Sequence, residues 1–96
     1  MMFCVNVWLT VKDPNNVSKV AELLTEISRT TIHEAACERI EVYHSESEPD
    51  KFLLCEHWVS EDSWKGHRDE RIFIDVYKAQ VLPLVDRTPH ICKLLG

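Results

Sequence analysis

Phe52-Leu53-Leu54-Cys55-Glu56-His57-Trp58, followed by Ser60-Glu61-Asp62 and then by Trp64, His67 and Phe73, joins a strand carrying an acid to a capped helix carrying an imidazole. Every second residue of a strand lies on one face, so Phe52, Leu54, Glu56 and Trp58 belong together. A carboxylate among three large apolar groups requires a partner or a chemical task. Ser60 is a good N-cap, and Glu61 and Asp62 fall in the first turn, where negative charge complements the helix dipole.

Working outward, Phe3, Val5, Val7, Leu9 and Val11 make one apolar face of a first strand. Asp13-Pro14 then offers a cap and a first helical residue, and Val17, Val20, Leu24 and Ile27 recur at helical spacing until the β-branched run Thr30-Thr31-Ile32. Cys37 to Ser45 alternates again, with Ile40 and Val42 on one face and Arg39, Glu41 and Tyr43 on the other. The polar segment Glu46–Asp50 turns it into the Phe52 strand as a hairpin. Past Ser60, Asp69 is the expected cap of a further helix with Ile72, Phe73, Val76, Tyr77, Gln80 and Val81 on its buried side, stopped by Pro83. A loop through Asp86-Arg87-Thr88-Pro89 leads to a last strand expected over His90–Leu95.

The resulting order, β-α-β-β-α-β with its second helical region split, is the ferredoxin-like pattern: an α+β fold, an antiparallel sheet with helices on one face. The 96 residues make a single domain over 1–96. The other face of that sheet carries Cys4, Trp8, Arg39, Tyr43, Leu53, Cys55 and Val59, too apolar to be left wet, so a homodimer packed sheet to sheet is expected.

Net charge is −5 with lysines and arginines scattered among acids, which argues against nucleic acid as a partner. The sequence shows neither a signal-peptide pattern nor about 18 consecutive apolar residues, so a cytoplasmic protein without membrane association is expected. Cys4, Cys37, Cys55 and Cys92 form no CxxC pair and read as reduced thiols. The two glycines leave no phosphate-cradling loop. Five dispersed histidines give no HxH or HExxH motif, and His33-Glu34-Ala35-Ala36-Cys37 is only a near miss, so no metal site is expected.

Glu56, Trp58, Ser60, Glu61, His67 and Phe73 together resemble the antibiotic biosynthesis monooxygenase family of small ferredoxin-like proteins, and the likeness extends to Phe3–Val11, Ala36–Tyr43 and Tyr77–Pro83. The resemblance implies a dimeric α+β barrel with a cavity between the sheet and the split helical region. In that cavity Glu56 is the candidate base, since desolvation raises a carboxyl pKa toward the range suited to a phenolic or enolic proton. His67 and Tyr77 are the candidates for positioning or polarising substrate oxygens, and Trp58, Trp64 and Phe73 for binding an aromatic ring.

Family members that degrade haem use an Asn on the first strand and a histidine ligand. Here the parity of the strand places Asn6 on the sheet's other face, and the ligand position is Tyr77, so no haem is expected. Ala36 stands where the family often has Gly, and Arg71-Ile72 where it often has Pro-His, changes at a turn and at the cavity rim. The implied activity is a cofactor-independent oxidation of a small phenol, hydroquinone or anthrone by dioxygen. A proton-transfer isomerase using the same residues, and a non-catalytic stress-response dimer that binds a small molecule, are the alternatives.

Overall fold

The computed structural model describes residues 2–96. Strand β1 (Phe3–Val11) alternates as its sequence requires: Val5, Val7, Leu9 and Val11 are buried, while Trp8 is 41% exposed on the opposite face. After β1, the Asp13 carboxylate accepts from the Asn15 amide at 2.9 Å, and Pro14 opens a short 3-10 turn that runs into α1 (Val17–Thr31). Val20, Leu24, Ile27 and Thr31 form the buried stripe of α1, at the spacing that keeps a helix face in register.

Strands β2 (Cys37–His44) and β3 (Lys51–Trp58) come next as a hairpin, with a bulge between Cys37 and Arg39. The second helical region is split into α2 (Glu61–Gly66), a 3-10 turn (His67–Asp69), α3 (Ile72–Val81) and a second 3-10 turn (Leu82–Leu84) holding Pro83. Strand β4 (Val85–Cys92) completes an antiparallel sheet in the order β2-β3-β1-β4. This is the ferredoxin-like α+β arrangement expected from the sequence. Leu9, Leu24, Phe52 and Val81 meet in the core between sheet and helices, each burial contributing about 1.5–3 kcal/mol. No helix of the described residues is long and apolar enough to cross a membrane.

Three local expectations need correction. Strand β4 starts at Val85, five residues before the predicted His90, and ends at Cys92, short of Leu95. Pro89 reads as a loop residue, but β4 lies at the edge of the sheet, where a missing N–H is tolerated. Asp69 does not cap α3: it belongs to the preceding 3-10 turn, and Arg71 occupies the cap position, its side chain bonded to Asp75 and not to the helix end. Helix α3 itself is π-helical, so its wider turn brings Val76, Tyr77 and Val81 to the core and leaves Gln80, expected on that face, exposed.

On the outer face of the sheet, Arg39 Nε and Tyr43 Oη both donate to Glu41 Oε1, at 2.9 and 2.7 Å. Tyr43 and Val59 are about half exposed there, and Asn6, opposite Cys55 and His90, lies on this face as its parity requires.

Candidate active site

The inward residues of β3 bring the acid to the site. Phe52, Leu54, Glu56 and Trp58 are all buried, and Glu56, at 7% exposure, is the one charged group among them. Its cross-strand partners are Ile40 on β2 and Val5 on β1, both apolar and on the same face. The indole of Trp58 supplies the compensating contact, donating from Nε1 to Glu56 Oε1 at 3.0 Å. Desolvation raises the Glu56 pKa above the ordinary carboxylate range; the Trp58 hydrogen bond and the nearby His67 and Arg87 oppose it without cancelling it.

Between this strand and the split helical region lies a cavity of about 160 Å³. Ile27, Ile40, Leu54 and Leu82 supply apolar wall, Trp64 and Phe73 aromatic wall, and Glu56, His67, Tyr77, Arg68 and Arg87 the polar groups. Three of these come from one short stretch: the Ser60 hydroxyl accepts from the Ser63 amide at 3.1 Å, starting α2 so that Trp64, His67 and Arg68 turn toward β3.

His67 is 7% exposed, its ring lying 4.9 Å from that of Trp58 and edge-on to Phe73 at 5.2 Å. Its Nδ1 meets the Glu34 carboxyl at 2.9 and 3.1 Å. Burial pushes Glu34 up to about 7, with Glu70 adding repulsion, and burial pushes His67 down. Both groups move toward their uncharged forms, so near neutral pH this contact holds one mobile proton. With Glu34 ionised, Nδ1–H donates to it and Nε2 is an acceptor; with Glu34 protonated, its hydroxyl donates to Nδ1 and Nε2–H becomes a donor.

Tyr77, 5% exposed, packs its ring 5.3 Å from Phe73. Arg87 Nε donates to its phenolic oxygen at 3.1 Å, which leaves the Tyr77 proton free to be given to a substrate. Burial raises the Tyr77 pKa, and Arg87 opposes that rise.

The structure therefore brings Glu56, His67, Tyr77, Trp64 and Phe73 to one cavity. Trp58 is wholly buried and forms no part of its wall; its contact is with the carboxylate. Sequence reading missed Arg68, Arg87 and Glu34. Arg87 pairs with Leu9, a helix-facing residue, and so sits on the same face as Glu56; the same parity would have found it had the strand been started at Val85. Glu34 lies in the turn after α1, and its contact with His67 spans 33 residues, beyond any local pattern. Cys37 is buried and its thiol is pushed up to about 11, which removes it as a nucleophile at neutral pH. Among the described residues no three His, Cys, Asp or Glu side chains meet as metal ligands would.

Comparison with known proteins agrees with this architecture. A conserved Bacteroides thetaiotaomicron protein of unknown function, noted as a possible oxidoreductase, superposes with a TM-score of 0.88 at 22% identity, covering 97% of both chains. A Nitrosomonas europaea protein provisionally assigned as an antibiotic biosynthesis monooxygenase gives 0.89 at 19% identity, covering 98% of this chain and 90% of the other. A Mycobacterium tuberculosis protein gives 0.84 at 21% identity, covering 98% and 96%. At these identities the structural likeness shows the fold alone. No curated protein matches the sequence. The antibiotic biosynthesis monooxygenase family model matches residues 2–79, a span that holds β1 to β3, α1, α2 and the Glu56, His67 and Tyr77 side chains. The chain belongs to the antibiotic biosynthesis monooxygenase family.

Proposed function

We propose that the protein is a cofactor-independent monooxygenase that oxidises a small electron-rich phenol, hydroquinone or anthrone with dioxygen. The observation that carries this reading is the buried Glu56 carboxyl at the wall of an aromatic-lined cavity that also receives the His67 imidazole and the Tyr77 hydroxyl. A raised pKa makes Glu56 the stronger base once ionised, matched to a weakly acidic O–H or C–H.

Glu56 removes the proton, and Tyr77 and His67 hold the oxygen on which negative charge accumulates. The electron-rich anion transfers an electron to dioxygen, and the radical pair combines into a peroxide on the ring. For an activated CH2, loss of water then leaves a ketone: one oxygen atom enters the product and the other departs with the two hydrogens. The substrate supplies all four electrons. Trp64 and Phe73 keep bulk water from the intermediate.

On the same reading the protein is a cytoplasmic homodimer joined through the outer sheet face, where Trp8 and Tyr43 flank Leu53 and are exposed. A proton-transfer isomerase is the second reading, favoured by the Glu34–His67 proton relay, which needs no oxygen.

The test is oxygen uptake by purified protein, with Glu56→Gln as paired control, across phenols, hydroquinones and anthrones. Uptake that is lost in the variant supports the oxygenase. Undiminished uptake in Glu56→Gln removes Glu56 from the mechanism, and product formation without oxygen transfers the site to the isomerase reading.

A further inference from the structure

Two arginines of the cavity have no carboxylate partner among the described residues. Arg68 holds its guanidinium 4.8 Å over the Trp64 ring, and Arg87 uses Nε on the Tyr77 oxygen. Neither contact neutralises a charge. Acids are plentiful in a chain of net charge −5, and Arg39 and Arg71 are paired with Glu41 and Asp75. Glu56, the cavity's own acid, is buried and feels Arg87 electrostatically, but it makes no ion pair with either arginine.

Arg68 and Arg87 are both exposed, whereas Ile27, Ile40 and Leu54 on the same cavity are buried. The buried part of the cavity is therefore apolar wall around Glu56, His67 and Tyr77, and its mouth is cationic. At about 160 Å³ it is the size of one ring, since an apolar cavity of about 150 Å³ accommodates benzene. A single ring fits within it, whereas an anthrone would project through its mouth, which favours phenols and hydroquinones among the proposed substrates.

Resting on the proposal that this cavity is the substrate site, we infer that the substrate is a single-ring hydroxylated aromatic acid, its ring among Ile27, Ile40 and Leu54, its hydroxyl toward Glu56, and its carboxylate received by Arg68 and Arg87. The planar guanidinium fork matches the two oxygens of a carboxylate. A pair of cations at the entrance also offsets the repulsion that a chain of this net charge exerts on an incoming anion.

Calorimetric titration with 4-hydroxybenzoate and with its methyl ester tests this, because the two share ring and hydroxyl and differ in the charge. The acid is expected to bind at least about tenfold more tightly. Arg68→Met and Arg87→Met should each erode that preference by weakening the acid several-fold more than the ester, with circular dichroism confirming that both variants fold. Ester binding as tight as that of the acid, equal losses for acid and ester in the arginine variants, or no binding of either compound would overturn the inference. The titration needs no turnover, so the two readings separate. Acid preference without oxygen uptake on 2,5-dihydroxybenzoate keeps this inference and removes the oxygenase. Uptake on neutral hydroquinone without any acid preference does the reverse.

Discussion

Trp58 Nε1 donates to Glu56 Oε1 at 3.0 Å, a contact between two residues of one strand that share a face because they are two positions apart. The strand thus buries an acid and, one pleat later, provides the donor that makes its burial tolerable. Replacing Trp58 by Phe keeps an aromatic ring and deletes the N–H. Loss of about 1–3 kcal/mol of stability is expected in urea titration. The hydrogen bond lowers the Glu56 pKa, so its removal should also move the rising limb of the activity profile to higher pH. A limb that stays in place would separate Trp58 from the chemistry.

The Glu34–His67 pair makes a prediction about pH and stability. The folded-state pKa of Glu34 is raised from 4.5 to about 7, so the folded protein binds its proton more tightly than the unfolded chain does. The corresponding stability is fully present below pH 4.5 and is lost as pH rises through about 7. His67, lowered by burial, contributes with the opposite sign: its share is present above its ordinary value and is lost as pH falls through the depressed one. Glu34→Gln removes the first slope and keeps the second. Urea midpoints measured from pH 4 to 8 should therefore show the wild type losing ground to the variant as pH rises; parallel curves would count against a raised Glu34.

Tyr77→Phe deletes the hydroxyl that Arg87 leaves free to donate. Because Arg87 is exposed and water can replace its lost acceptor, the stability cost should be about 1 kcal/mol or less. Turnover should fall about 10²-fold if the hydroxyl stabilises a developing oxyanion. Steady-state oxygen uptake beside a thermal melt checks both, and full activity in this variant would reduce Tyr77 to a packing residue.

Trp8 stands on the outer face of the sheet beside Leu53, in a row that continues to Tyr43. Trp8→Glu places a charge in the proposed dimer interface. Sedimentation velocity should show the wild type at twice the mass of the variant; a variant that stays dimeric would move the interface elsewhere.

Thr31, at the end of α1, is wholly buried and its hydroxyl finds no partner among the described residues. Thr31→Val keeps the branched shape and removes the unsatisfied group, so stability should rise by about 1 kcal/mol, read as a higher urea midpoint.

The parts of the fold that obey a short-range rule were legible in the sequence. Alternation placed Glu56 on the buried face of β3, Ser60 announced α2, and the parity of β1 set Asn6 outside. The features that escaped depend on context that a linear pattern lacks. Pro89 breaks a strand in the middle of a sheet but not at its edge, and the position of β4 is a property of the whole fold. Arg87 was hidden by that same misplacement. Glu34 reaches His67 only after the chain has folded back on itself. The composition of Ile72–Val81 does not distinguish the ordinary helical hydrogen bond from the wider one it adopts.

That wider turn has an evolutionary consequence. A helix wound this way holds more chain in each turn than an α-helix does, so the loss of one residue between Phe73 and Tyr77 can be absorbed by tightening one turn, with the segment from Tyr77 to Val81 kept in place. In an α-helix the same deletion would turn every following residue by about 100°. The wide turn therefore makes this wall of the cavity tolerant of a change in segment length, with every side chain of the strand that carries Glu56 left as it is.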